Sequence, residues 1–144
     1  MKKFITLIVI LVLCFACLGI TANAALINDT VSPMYNNTTS ATTSFNISES
    51  GLASVSVSYG GKYGTSVHST IISKIQKYES GTWVDVNINQ PNNAWIDESS
   101  MLFFSKTHTH QLTSRGRYRA VVVYEISGTG GAIDVIERTI EKTY

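Results

Sequence analysis

The amino-acid sequence predicts an all-β fold, a single antiparallel β-sandwich of about seven short strands. Alternation is the first reason. Ala53, Val55, Val57 and Tyr59 share one face of an extended run, while Ser54, Ser56 and Ser58 share the other. That is a strand with one dry side. Punctuation is the second reason. Glycine-bearing turn signals recur between short apolar runs, as in Glu49-Ser50-Gly51 and Glu79-Ser80-Gly81, at the spacing of hairpins. Composition is the third. The chain beyond residue 37 is rich in Ser, Thr, Val and Ile, and its β-branched residues favour a pleated, half-buried surface.

The chain begins with an export signal. Lys2 and Lys3 precede an apolar run from Phe4 to Ile20, and Ala22-Asn23-Ala24 follows. A basic start, an apolar middle and a small-x-small end predict a secretory signal over residues 1–24, cleaved after Ala24. An uncleaved membrane anchor is the alternative, but the apolar run falls just short of the usual spanning length. Lipidation at Cys17 fits less well, because Cys14 stands where such a site wants a large aliphatic residue. Cleavage leaves residues 25–144, 120 of the 144, which is one domain's worth.

Residues 25–37 read as an extended leader interrupted by Pro33, and residues 38–144 as the sandwich domain. Ala41, Phe45 and Ile47 begin the alternation, and Glu49-Ser50-Gly51 turns into the Ala53–Tyr59 strand. Tyr59 to Gly64 forms a loop. Val67 to Tyr78 is ambiguous, since Val67, Ile71, Ile75 and Tyr78 also match helical spacing. Its β-branched residues favour strand. Glu79-Ser80-Gly81 then turns into Trp83, with Val84, Val86 and Ile88 inward and Trp83 in the core. Gln90 to Ser100 reads as a polar loop and Met101 to Leu112 as a strand. Tyr118, Ala120, Val122 and Tyr124 give the clearest late strand. Ile133 to Thr143 returns from a Gly-rich turn; Ile133, Ile136 and Ile140 allow a helix, but a hairpin partner fits better. The whole is an immunoglobulin/fibronectin-like arrangement.

Both cysteines, Cys14 and Cys17, fall within the signal. The exported part therefore has neither a disulfide nor a thiolate metal site. Packing and sheet hydrogen bonds must hold it. Removal of Lys2 and Lys3 takes the basic residues from eleven to nine against ten acidic ones, a net charge of −1. That balance points away from nucleic acid, and the only membrane contact it implies is through the signal.

Several C-terminal pieces resemble a known pattern. They are Gly81-Thr82-Trp83, Trp95-Ile96-Asp97-Glu98, His108-Thr109-His110-Gln111-Leu112, Gly116-Arg117-Tyr118-Arg119-Ala120, Gly128-Thr129-Gly130-Gly131 and Asp134-Val135-Ile136-Glu137. The chain resembles an uncharacterised family of small secreted β-sandwich-type proteins of Gram-positive bacteria. The resemblance implies export and a β fold and carries no catalytic residue.

Four groups of residues are candidate sites. His108 and His110 are two apart, so a strand puts both on one face. With His68 or Asp97 they could chelate a divalent ion. Arg115, Arg117 and Arg119 make an alternating basic stripe suited to an anionic wall polymer. The same stripe could pair across a hairpin with Glu137 and Glu141. Asp85-x-Asn87-x-Asn89 opens like a calcium loop, but Gln90 replaces the glycine and Ile96 the closing acid, so a solvated strand face is the better reading. Tyr59, Tyr63 and Trp95 look like loop aromatics suited to sugar or peptide contact. Catalysis has little support: no Ser sits in a Gly-x-Ser-x-Gly elbow, and adjacent Asp97 and Glu98 point apart on an extended chain. The expected function is a non-catalytic, cofactor-free binding module that takes a cell-wall polymer, a glycan or another protein. A bacteriocin-like toxin or an enzyme inhibitor is the alternative.

Overall fold

In the computed structural model, residues 35–144 are described, Ser66 excepted. The expected signal over 1–24, both cysteines and the leader as far as residue 34 lie outside the described residues. Eight strands follow in order: β1 (Thr38–Ile47), β2 (Leu52–Gly61), β3 (Val67–Glu79), β4 (Thr82–Asp85), β5 (Trp95–Ser99), β6 (Phe103–Gln111), β7 (Arg117–Gly128) and β8 (Gly131–Thr143). They build two antiparallel sheets. One has the order β1-β2-β6 and the other β4-β3-β7-β8, with β5 added to the same edge of β3 as β4. Among the described residues there is no α-helix, only a 3-10 turn at Pro91–Asn93.

Alternation explains the layers. Ala53, Val55, Val57 and Tyr59 of β2 all face the interior, as do Tyr118, Ala120, Val122, Tyr124 and Ile126 of β7. Ile71 and Ile75 come from β3, Phe45 from β1 and Ile136 from β8. Each large side chain buried this way contributes about 1.5–3 kcal/mol relative to an exposed one. Both stretches with helical spacing are strands, because their partners β4, β5 and β7 satisfy their backbone groups laterally. The turn between β3 and β4 has positive φ at Ser80 and Gly81 (49° and 88°). A two-residue loop with both angles positive matches the twist of paired strands.

The tyrosines tie the layers together. Tyr118 opens β7, and its hydroxyl donates to Ser114 O at 2.7 Å. A tyrosine at this corner, bonded to backbone just upstream, is a hallmark of immunoglobulin-like sandwiches. Tyr124 reaches across to the smaller sheet, donating to Thr42 O at 2.7 Å. On the β1 and β8 side, buried Asp134 accepts from the backbone N–H of Asn36 and Asn37, both at 2.8 Å. The end of the expected leader is thus docked from Tyr35 onward.

Three expectations are corrected. Trp95–Ser99 is a strand, not part of a loop, because its backbone pairs with Ser69–Ser73 of β3. Trp83 is not core. It pairs with Tyr78, which points away from the interior, so Trp83 lies on the outer face. Val84 is on the inner side yet 46% exposed, because the three-stranded sheet does not extend beneath β4. That mismatch in strand number leaves one edge of the sandwich open.

Candidate functional site

The open edge holds a groove of about 630 Å³. Its upper wall is β4 with the chain after it: Val84, Asp85, Val86, Asn87 and Asn89. The lower wall is the end of β6 and the turn that follows, from His110 to Ser114. Lys77, Glu79 and Tyr118 complete the lining. His110 is brought here by the even register of β6, which points Phe104, Lys106, His108 and His110 toward the opposite sheet. Its imidazole makes no hydrogen bond or ion pair among the described residues. Lys77 Nζ lies 2.8 Å from Glu79 Oε1 and donates to Ser114 Oγ at 2.9 Å. The hydrogen bond from Lys77 to Glu79 holds the ammonium above its ordinary pKa; desolvation opposes this, more weakly.

Asp85 is held on the other side of β4. Lys74 Nζ and Gln76 Nε2 donate to it at 2.9 and 2.7 Å. Desolvation pushes its carboxyl up, and these two hydrogen bonds outweigh that and hold it below its usual value. With Asp85 occupied and Asn87 accepting from Asn89 N–H at 2.9 Å, the three residues do not form a calcium loop.

Further along the same edge, β5 closes against β6 through a polar seam. Buried Asp97 accepts from Lys106 Nζ at 2.7 Å and lies 2.6 Å from His108 Nε2. The His108 ring is stacked on Trp95, with centroids 4.9 Å apart and planes 6° apart. Desolvation raises the Asp97 carboxyl; the hydrogen bonds from Lys106 and His108, with their positive charge, prevail and lower it. The two strand-edge histidines therefore divide, His108 into the seam and His110 into the groove.

The proposed metal set does not assemble. His68 points outward from β3, its Nδ1 at 3.2 Å from Ser100 Oγ, on the opposite face of the larger sheet from Asp97 and His108. No group of three metal-ligating residues is found among the described residues. Asp97 does reach His108, but the ammonium of Lys106 occupies its other oxygen.

The arginines do not form a free stripe either. Arg117 donates to Glu141 Oε2 at 3.0 and 2.7 Å, a diagonal pair, since the register sets Glu141 opposite Arg119. Its guanidinium also lies over Tyr78 and Trp83, while Arg119 lies 4.5 Å from the Trp83 ring centroid. Arg119 Nε donates to Gln76 at 2.7 Å. Arg115 lies over Tyr144 at 5.0 Å. Each cation is already stacked or paired, worth about 0.5–1 kcal/mol at an exposed position. Of the aromatics, Tyr59 is buried and donates to Met101 O at 2.7 Å. Trp95 is spent on His108. Of these three candidates, only Tyr63, 92% exposed, stands free among the described residues.

Sequence reasoning missed the groove. Its walls become walls only when the two sheets are known to differ in width, and no residue spacing reports that. No family model, curated protein or solved structure matches this chain, so the chemistry of the site alone carries the functional reading.

Proposed function

We propose that this protein is an exported, non-catalytic binding module of the bacterial envelope or its surroundings, with the open groove as its ligand site. The groove is the observation that carries the reading. Its volume is that of a small-ligand site. The lining supplies amides, hydroxyls, an unpartnered imidazole and charges of both signs. A ligand of matching chemistry is rich in amides and hydroxyls and carries both charges, as a soluble fragment of peptide-bearing wall glycan does. A polyphosphate such as teichoic acid fits less well, because Glu79 would repel it.

The one pairing in the groove with catalytic overtones is Lys77 with Ser114. A lysine that activates a serine must give up its proton near neutral pH. Lys77 is stabilised as a cation by Glu79, which supports binding rather than acyl transfer. Export rests on the leader at residues 1–24.

Isothermal titration with purified soluble muropeptides tests the reading. Saturable binding is expected, weakened about fivefold or more by His110→Ala or Thr113→Val, the loss of roughly one hydrogen bond. Absence of binding at millimolar ligand, or equal affinity in both variants, would reject the groove as the site.

A further inference from the structure

The two outer faces of the sandwich differ in chemistry. On the larger sheet, Lys74, Asp85, Arg117, Arg119 and Glu141 stand on the face away from the core. The outward positions of β1, β2 and β6 carry no charged residue. They are hydroxyls, amides and one glycine, with Leu52 and Phe103 at opposite ends. Strand register aligns them in rows: Thr42 beside Ser58 beside Ser105, then Ser44 beside Ser56 beside Thr107. Ser56 Oγ and Thr107 Oγ1 are 2.8 Å apart and hydrogen-bonded. Solvent-facing strands, edges above all, ordinarily carry charge for solubility and against unwanted pairing. This face dispenses with it.

One end of the face has a built feature. Gly60, opposite Phe103 in the register, is buried beneath its neighbours. A Cβ there would lie 3.0 Å from both Thr39 Oγ1 and Ser40 Oγ, and 3.4 Å from Phe103 Cε1. Two hydroxyls and an aromatic ring therefore close over Gly60 and are displayed together at this end. Phe103 is 69% exposed, a large apolar ring displayed next to polar rows.

We propose that this face is a second binding surface, independent of the groove, that docks on an uncharged polysaccharide built of N-acetylhexosamine. Charge complementarity selects the partner. A phosphate polymer or nucleic acid would find no cation here. A second copy of the face would oppose hydroxyls to hydroxyls with little apolar area to bury. A neutral polysaccharide offers hydroxyls and acetamides to the rows and C–H faces to Phe103. Donors recur about every 4.8 Å across strands and about every 6.7 Å along them, a regular grid suited to an extended, ordered polymer.

The test is co-sedimentation with insoluble chitin, an uncharged N-acetylglucosamine polymer, at low salt and in high sodium chloride. Binding should be unchanged by salt, since no ion pair is involved. Phe103→Ala and the double variant Ser56→Glu/Thr107→Glu should each weaken it about tenfold. Ser105→Lys, a single change on the exposed edge strand, guards against misfolding of the double variant and should also weaken it. Thermal unfolding checks that each variant is folded. His110→Ala should bind chitin normally, which separates this surface from the groove. Failure of the wild type to sediment, binding abolished by salt, or full binding by folded Ser105→Lys and Phe103→Ala would overturn the proposal.

Discussion

Replacing Asp97 by alanine removes the anion from the seam between β5 and β6. Two partners lose it. The His108 side chain is 11% exposed, so water compensates poorly, and a lost hydrogen bond to a charged group costs about 1.5–3 kcal/mol. The Lys106 side chain is 52% exposed, so its share is that of a surface pair, about 0–1 kcal/mol. Relief of the desolvation of Asp97 offsets part of the sum. The net expectation is about 2 kcal/mol, or a fall in Tm of roughly 8 °C at neutral pH. The effect must depend on pH. The folded-state pKa of Asp97 is lowered, so its contribution is complete above the unfolded carboxyl pKa of about 3.9. It is lost as pH falls through the lower folded value. Calorimetry from neutral pH into acid should show the gap between wild type and Asp97→Ala shrinking below about pH 4. A Tm within about 2 °C of wild type at neutral pH, or a gap that widens in acid, would refute the reasoning.

Two further substitutions probe the fold. Asp134→Ala leaves the N–H groups of Asn36 and Asn37 without their acceptor. A loss of about 2 kcal/mol in denaturant unfolding, with faster proteolysis near Asn36, is expected. Ser73→Ala should stabilise by about 1 kcal/mol, because the Ser73 hydroxyl is fully buried with no hydrogen-bond partner among the described residues. Lower stability in that variant would mean that the hydroxyl is satisfied after all.

Alternation was legible wherever a strand has one dry face, and β2 and β7 are read correctly for that reason. Where an edge strand faces a polar seam, the signal inverts. In β5 the aspartate at 97 is buried and Ile96 is 53% exposed, so the hydrophobic period points the wrong way and the segment reads as loop. Trp83 misleads similarly: its size suggests core, but its register with Tyr78 puts it among stacked arginines. The shared face of His108 and His110 was legible from their spacing, and Asp97 was a named partner. Their separation into seam and groove was not, because it depends on where β5 ends and β4 overhangs.

The claim on which this account turns is that the overhang of β4 beyond the three-stranded sheet makes a ligand site. Two-dimensional NMR of the protein during titration with soluble muropeptide tests it most directly. Shifts concentrated at Asn87, Asn89, His110 and Thr113 are predicted, with the β7–β8 turn unmoved. Spectra unchanged at saturating ligand, or shifts confined to the outer faces, would contradict it.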